Sequence, residues 1–328
     1  MGQFISQNLP PAPKLTEVNL PDQAGKVFIV TGATSGVGKA LARILYGANG
    51  KVYITARSEE KANTTIAELK KQRLQSKGQL TYLHLELSDL SLIKASVDTF
   101  LAHESRLHVL FNNAGVMFTP PETPKTKQGY EIQLGTNALG PFLFTQLLTP
   151  ILLATAREEE GRASIPGSVR VVWASSSFAS YFTPPGAIDM NNLDYQKSTL
   201  DLVKYSSSKA AIIFYSAEFA RRYGKDNIIS IPLDPGNLRT GLHRHRFFFW
   251  LAVQPFLHDA LYGAYTELFA GFSPDITLDK NNAFLAPWGR IIALRSDIDN
   301  ACKTTDEGGS GAAQAFWEWS EQQVQAYL

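Results

Sequence analysis

The sequence predicts a doubly wound α/β fold, in which a mostly parallel seven-stranded sheet is flanked by helices. Short apolar and β-branched runs alternate with segments of helical spacing from Lys26 onward, and several of these runs have no polar interruption. A glycine-rich turn follows the first run directly. Uninterrupted apolar strands are typical of parallel sheets that are covered on both faces, and the alternation is typical of repeated βαβ units.

The individual elements follow from the same patterns. Strands are expected at residues 26–31, 51–55, 81–85, 107–111, 169–174 and 228–233. Helices are expected at 38–46, 59–75 and 210–220, where apolar residues recur at helical spacing. The prolines of residues 1–24 indicate an extended arm, so the sequence predicts that arm followed by a single domain at 25–328.

Composition excludes several classes of function. The chain has 328 residues, of which 31 are basic and 30 acidic, so no broad electrostatic footprint for nucleic acid exists and the partner is expected to be a small molecule. Cys302 is the only cysteine, which excludes an internal disulfide and a thiolate-built metal site. The basic run His243-Arg244-His245-Arg246 lacks companion ligands, so we interpret it as a solvated turn and predict no metal.

The amino terminus bears on localisation. It has no signal-peptide pattern, and no transmembrane segment is expected. The opening MGQFIS matches the myristoylation pattern, with Gly2 as the acceptor and Ser6 at the required place. One myristoyl chain would hold a membrane weakly and reversibly. We therefore expect a cytoplasmic protein, peripheral to a membrane if Gly2 is modified.

The glycine-rich turn after the first strand predicts a phosphate cradle. Glycines allow a tight turn and let backbone amides approach a pyrophosphate, while the amino terminus of the following helix supplies free N–H groups. The other interpretation is a merely tight βα turn. The position between a strand and a helix favours dinucleotide binding, and the predicted contacts are Thr31, Gly32, Thr34, Ser35, Gly36, Val37 and Gly38.

The end of the second strand indicates which dinucleotide binds. NAD-binding folds usually carry an acidic residue here, which holds the ribose 2′-hydroxyl. This strand ends without a carboxylate, and Arg57 follows it, able to pair with a 2′-phosphate through its planar guanidinium. The sequence therefore favours NADP(H) over NAD(H).

Tyr205 and Lys209 are the candidate catalytic pair. Residues four apart lie on one face of a helix, and a neighbouring ammonium is expected to lower the pKa of a tyrosine toward the physiological range. Alone, the pair would also fit a surface tyrosine beside a solvated lysine. The motifs around the pair decide between these two interpretations.

Together these motifs resemble those of the short-chain dehydrogenase/reductase family over residues 24–290. The TGxxxGxG loop falls on residues 31–38, the NNAG stretch on 112–115, and the YxxxK pair on Tyr205 and Lys209. The resemblance implies a Rossmann-like fold and adds two catalytic residues, Asn137 and Ser176, with Ser175 as the alternative serine.

The resemblance also implies further cofactor contacts. The NNAG stretch supplies Asn113, Ala114 and Gly115, and the Pro-Gly segment after the sixth strand holds the nicotinamide end through Pro235, Gly236, Leu238 and Thr240. At the adenine pocket Glu86-Leu87 stands where the family often has Asp-Leu or Asp-Val. The longer carboxylate is expected to reach the adenine amine.

Two stretches are expected near the substrate, at 178–204 and 241–280. The aromatic run 247–250, with Leu251 and residues 256–257, fits either a helix packed on the core or a wall of the substrate site. The long insertion and the arm resemble the retinol-dehydrogenase-like and WW-domain oxidoreductase-like branch of the family, which includes many fungal reductases.

The resemblance implies an NADP(H)-dependent oxidoreductase that interconverts a carbonyl and an alcohol. The substrate would be bulky and apolar, such as a polyketide, terpenoid, steroid-like or retinoid compound of secondary metabolism. Two alternatives remain: a cofactor-binding scaffold protein, and an enzyme that catalyses cyclisation, dehydration or epimerisation without net redox. Either a core or a dimer face would suit the apolar helices, so the oligomeric state is open.

Overall fold

A single eight-stranded sheet forms the centre of the computed structural model, which describes residues 6–117, 124–161, 166–241 and 257–328. The strand order is β3-β2-β1-β4-β5-β6-β7-β8, and every neighbouring pair is parallel except β7 with β8. The strands are β1 Val27–Val30, β2 Lys51–Ala56, β3 Gln79–His84, β4 Val109–Asn112, β5 Val169–Ala174, β6 Ile228–Leu233, β7 Leu285–Ala286 and β8 Arg290–Ile291.

This architecture confirms the predicted fold class but corrects the strand count. The order reverses between β1 and β4, which is the switch point where doubly wound sheets bind dinucleotides. The sheet has eight strands rather than seven because the two-residue β8 adds an antiparallel edge to β7. Strands this short give little sequence signal.

Nine helices surround the sheet in the described part of the chain. They are α1 Gly36–Gly47, α2 Glu59–Gln72, α3 Leu90–Leu101, α4 Ile132–Gly161, α5 Phe178–Tyr181, α6 Asp201–Tyr223, α7 Ala260–Phe272, α8 Ser296–Cys302 and α9 Ala312–Val324. Helix α4 comprises an α-helical turn Ile132–Leu134, a π-helical stretch Gly135–Leu139 and the α-helix Gly140–Gly161. Single 3₁₀ turns lie at Gly224–Asp226, Leu278–Lys280 and Gln325–Tyr327.

The helices form one layer on each face of the sheet. Helices α1, α2 and α7 bury Leu41, Leu69 and Leu268 in one apolar core. Helices α3, α4, α6 and α9 bury their apolar faces in the other, which includes Phe142 and Phe214. The two cores cover both faces of the parallel strands, as uninterrupted apolar strands require.

Helix α4 is long and apolar enough to cross a bilayer by length and composition, although the sequence patterns suggest no such segment. Its most apolar window has a mean hydropathy of 1.5, and 72% of that window is buried inside the protein. Core helices of globular proteins pass the same test of length and composition.

Arg170 on β5 holds the end of α7 against the sheet. Its guanidinium donates to the carbonyls of Gly167 at 2.9 Å, Ala270 at 2.8 Å, and Ser273 and Ile276 at 3.1 Å. Burial lowers the pKa of Arg170 to about 10, so the group keeps its charge at neutral pH. These bonds satisfy carbonyls that the helix end leaves without internal partners.

The described part of the arm packs along α7. Leu15 and Leu20 contact the core that contains this helix, and the Tyr265 hydroxyl donates to Glu17 Oε2 at 2.5 Å. The insertion is also anchored, because Arg295 donates to the carbonyls of Ser180 at 2.8 Å and Pro184 at 3.0 Å. Both segments therefore have fixed positions relative to the sheet.

Three sequence predictions fall outside the described residues. These are the myristoylation acceptor Gly2, the basic run 243–246, and the aromatic run 247–250 with Leu251 and Phe256. Only Leu257 of that apolar stretch is described, and it is half-buried.

Candidate active site

The glycine-rich turn lies at the carboxyl end of β1 and opens α1. Gly32 and Gly36 have φ angles of +67° and +54°, which favour glycine. A Cβ on Gly38 would lie 2.6 Å from Asn113 Nδ2, and one on Gly32 would lie 3.1 Å from the Ala114 Cα. The turn is therefore as tight as the sequence predicts.

The first turn of α1 fits a phosphate group. Ser35 is the N-cap residue and is exposed, and its side chain makes no capping hydrogen bond. The leading N–H groups of the helix, with the positive end of the helix dipole, stay available to an anion. Thr34 is half-buried beside them, whereas the Val37 side chain packs into the core beneath the turn.

The NNAG stretch at the end of β4 is bonded to the turn. Thr31 Oγ1 accepts a hydrogen bond from the Ala114 N–H at 2.9 Å, and Asn113 Nδ2 donates to the Thr31 carbonyl at 2.7 Å. A Cβ on Gly115 would lie 3.1 Å from Lys209 Nζ, so glycine leaves room for that ammonium. These contacts connect the glycine turn with the candidate catalytic pair.

Lys209 is wholly buried at the end of β5. Its Nζ donates to the Ala174 carbonyl at 2.7 Å and lies 6.0 Å from the centroid of the Tyr205 ring. Burial lowers the pKa of Lys209 to about 8, against the opposing pull of the Glu267 and Asp234 carboxyl groups. The group is thus mostly an ammonium at neutral pH and loses its proton as the pH rises through about 8.

Tyr205 is buried beside this lysine, with 4% of its surface exposed. Burial raises the pKa of Tyr205, the charge of Asp234 acts in the same direction, and a hydrogen bond with Ser176 opposes both. The four-residue spacing predicts the opposite direction, a pKa that Lys209 lowers. The difference arises because burial removes the solvation of a phenolate, so the phenol stays protonated at neutral pH.

The two candidate serines have different partners. The Ser175 hydroxyl donates to the Lys209 carbonyl at 2.7 Å and so joins β5 to α6. The Ser176 hydroxyl accepts from the Phe178 N–H at 3.2 Å and hydrogen-bonds the Tyr205 phenol. Ser176 is therefore the serine that the fold places at Tyr205.

Asn137 lies in the π-helical stretch of α4 and bridges three segments. Its Oδ1 accepts from the Val116 N–H at 2.7 Å, and its Nδ2 donates to the Val116 carbonyl at 2.9 Å and to Ser208 Oγ at 3.0 Å. A Cβ on Gly115 would lie 3.3 Å from Asn137 Oδ1. The amide thus fixes the loop after β4 against α6, next to Lys209.

Arg57 lies at the carboxyl end of β2 with 68% of its side chain exposed. Its Nε is 3.7 Å from Glu86 Oε2. Glu86 Oε1 accepts from the Ser88 N–H at 3.0 Å and from its hydroxyl at 2.6 Å. The Leu87 side chain is buried in the core, so it is not available to a cofactor.

The Pro-Gly segment after β6 reaches back to the glycine turn. Gly236 has a φ of +96°, and a Cβ on Gly36 would lie 3.2 Å from Thr240 Cγ2. Leu238 is buried against Gly263 of α7, and the Pro235 carbonyl lies beside the same glycine. The segment therefore forms the far side of the cleft that the glycine turn opens.

Two buried carboxyl groups at this site are absent from the sequence prediction. Burial raises the pKa of Asp234, which accepts hydrogen bonds from the Gly236 and Ser177 main chain. Glu267 on α7 is wholly buried, and neither of its oxygens has a hydrogen-bond partner among the described residues. Glu267 is the only charged residue of that apolar helix, a signal that the sequence did contain.

A cavity of about 300 Å³ opens beside Phe178. Phe178, which lines it, packs edge-on against Tyr205 with 6.1 Å between ring centroids. Its complete lining is Gln7, Asn8, Ser177, Phe178, Tyr181, Phe182, Asp234 and Asn237. Neither this lining nor that of a second cavity, of about 340 Å³ beside Lys14 and Asp275, contains a residue of the predicted site. The described residues contain no cluster of His, Cys, Asp and Glu that could hold a metal ion.

Known proteins are similar to this chain in sequence. Residues 26–190 match the family model described as short chain dehydrogenase. A "Short-chain dehydrogenase/reductase" of Phomopsis amygdali is 49% identical, covering 98% of this chain and 96% of the relative. The "Short-chain dehydrogenase/reductase pkfC" of Emericella nidulans is also 49% identical, covering 96% of this chain and 98% of the relative.

Solved structures agree with the fold. An uncharacterized protein from Mycobacterium paratuberculosis is 25% identical and superposes with a TM-score of 0.68, covering 95% of this chain and 97% of that one. A 3-ketoacyl-(acyl-carrier-protein) reductase from Brucella melitensis, complexed with NADH, is 21% identical and has a TM-score of 0.59. The superposition covers 82% of this chain and 99% of that one. The second likeness, at its low identity, concerns the fold alone.

Proposed function

Because the chain belongs to the short-chain dehydrogenase/reductase family of oxidoreductases, we propose that it uses NADP(H) to interconvert a ketone or aldehyde and an alcohol on a bulky apolar substrate. One observation carries this proposal. Ser176, Tyr205 and Lys209 meet at the carboxyl end of β5, beside a glycine turn that fits a dinucleotide phosphate.

The cofactor, when bound, supplies the hydride that adds to the carbonyl carbon. Tyr205 gives its proton to the developing alkoxide, and the raised pKa of the buried phenol keeps that proton available at neutral pH. Ser176 donates a hydrogen bond to the same oxygen. Lys209 binds the ribose, and its ammonium stabilises the phenolate that proton transfer leaves on Tyr205. In the oxidative direction the phenolate takes the alcohol proton.

The substrate side supports an apolar compound. Phe178, Tyr181 and Phe182 contribute aromatic rings to the cavity next to Tyr205. Small-molecule sites combine apolar surface with polar groups that fix orientation, and this cavity combines the three rings with polar residues such as Gln7 and Asn237. The arm and the insertion favour the retinol-dehydrogenase-like and WW-domain oxidoreductase-like branch, and the lining suits a bulky ketone of the kind made in secondary metabolism.

NADPH consumption with a panel of bicyclic and polycyclic ketones tests this function. We expect ketone-dependent loss of NADPH together with formation of the matching alcohol. Conversion of a substrate without NADPH consumption would instead support a non-redox enzyme. Ligand binding without any conversion would support a scaffold protein.

Arg57 is expected to select NADP(H). Its exposed guanidinium at the end of β2 is available to a 2′-phosphate, and the ion pair with Glu86 is too long and too exposed to compete strongly. Arg57→Ala should weaken NADPH binding about tenfold to a hundredfold and leave NADH binding unchanged, since NADH lacks that phosphate. Fluorescence titration of both cofactors measures the change.

Arg157→Ala is the matched control, because Arg157 is an exposed arginine on α4. It should alter neither affinity. Equal affinity of the unmodified protein for NADPH and NADH would contradict the assignment, as would a preference for NADH that persists in Arg57→Ala.

A further inference from the structure

The amino-terminal arm contacts the cavity beside Tyr205. Residues 6–8 form a helical turn that several parts of the domain hold in place. Arg290 Nη2 donates to the Ser6 carbonyl at 2.7 Å, and His258 Nε2 lies 2.9 Å from the Asn8 carbonyl. Hydrogen bonds from β8 and from the region before α7 thus fix the main chain of this turn.

The side chains of the same turn bond to the cavity walls. The Tyr181 hydroxyl donates to Gln7 Oε1 at 2.8 Å, and Asn237 Nδ2 donates to Asn8 Oδ1 at 2.7 Å. Tyr181 belongs to the insertion, and Asn237 lies within the Pro-Gly segment. The arm therefore joins the two sides of the cavity and forms its remaining wall.

Gln7 is the arm residue best placed to contact a ligand. It is buried, with 9% exposed, and it lines the cavity together with Phe178 and Phe182. Its Oε1 accepts from Tyr181, and its Nε2 donates to no group in the described part of the chain. A carboxamide whose oxygen is engaged presents two N–H donors at the other end.

We propose that Gln7 is a specificity-determining residue, whose Nε2 donates to a second oxygen on an apolar ring ketone that reacts at Tyr205. The inference rests on the proposed carbonyl reduction. A pocket that combines three aromatic rings with a fixed N–H donor favours an apolar ligand that has an acceptor oxygen away from its reacting carbonyl. A cavity of about 300 Å³ suits a ring system of bicyclic size.

The test compares 2-tetralone with 6-methoxy-2-tetralone, whose remote ether oxygen can accept a hydrogen bond but cannot donate one. The unmodified protein should favour the methoxy ketone about tenfold in kcat/KM, as one uncharged hydrogen bond predicts. Gln7→Leu should remove that preference while keeping NADPH affinity. Gln7→Glu should remove it too, because a carboxylate still accepts from Tyr181 but has no N–H to donate.

Gln72→Leu applies the same substitution at an exposed position on α2 and should keep the preference. A second readout does not need turnover. In Tyr205→Phe protein with NADPH, the methoxy ketone should slow hydrogen exchange in the peptide that contains Gln7, and Gln7→Glu should abolish that protection.

The outcomes separate the two proposals. If both ketones are reduced and Gln7→Leu and Gln7→Glu keep the original preference, the role of Gln7 is overturned and carbonyl reduction stands. Gln7-dependent protection without any NADPH consumption supports the role of Gln7 and contradicts carbonyl reduction. Absence of both turnover and protection overturns the inference.

Discussion

Tyr205→Phe is expected to lower kcat about a thousandfold, while NADPH binding stays within about twofold of the original value. The substitution removes only the hydroxyl, which is the group that transfers the proton. The ring should keep its place, because it packs against Phe178 and Met117 in a buried cluster. Steady-state rates and fluorescence titration of NADPH measure the two quantities separately.

Tyr215→Phe is a matched control in the same helix. Tyr215 is also wholly buried on α6, and its hydroxyl lies 2.8 Å from Ser320 Oγ on α9, in the core rather than at the cleft. This variant should lose about 1 kcal/mol of stability and keep its kcat. A Tyr205→Phe protein that retains a tenth of the original kcat would refute proton transfer by Tyr205.

The sheet was the part of the fold most accessible from the sequence. The predicted β5 and β6 coincide with the observed strands at 169–174 and 228–233, because both are apolar runs with clear ends. The edge strand β8 escaped prediction because two residues that pair with only two others leave no periodicity. Tertiary contacts, not local pattern, create such a strand.

Motifs located the glycine turn, Tyr205 and Lys209, but they could not give the side-chain directions of neighbouring serines. Ser175 and Ser176 are adjacent in one polar run, and only the packing of β5 against α6 turns the first toward the Lys209 carbonyl. Arg170 was missed for a similar reason. An arginine in an apolar strand gives no hint that its partners are carbonyls about a hundred residues later.

The pKa of Tyr205 depends on the balance between burial, nearby charges and hydrogen bonds, which residue spacing does not determine. The four-residue spacing predicts proximity to Lys209, and the ring centroid and Nζ are indeed 6.0 Å apart. Burial nevertheless raises the pKa of the phenol and lowers that of the ammonium. Desolvation depends on the whole surrounding fold, including Asp234 and Glu267 from distant segments.

Glu267→Met is expected to stabilise the protein by about 3 kcal/mol at pH 8, with the gain fading below pH 5. Burial raises the pKa of Glu267 from 4.5 to about 8, so the folded state binds more protons than the unfolded state between these values. The free energy of unfolding should therefore fall as pH rises through this window. Methionine has no charge to desolvate, so the variant lacks this loss.

Glu218→Met is the contrasting control for that measurement. Glu218 is equally buried on α6, but it forms ion pairs with Arg221 and, at 3.3 Å, with Arg222. Its replacement leaves the Arg222 guanidinium without its carboxylate and Arg221 with Glu307 alone, at 3.3 Å, and should destabilise the protein. Urea unfolding of both variants at pH 5 and pH 8 shows whether each substitution raises or lowers the free energy of unfolding. A Glu267→Met protein with the original dependence of stability on pH would show that this carboxyl is already compensated in the folded state.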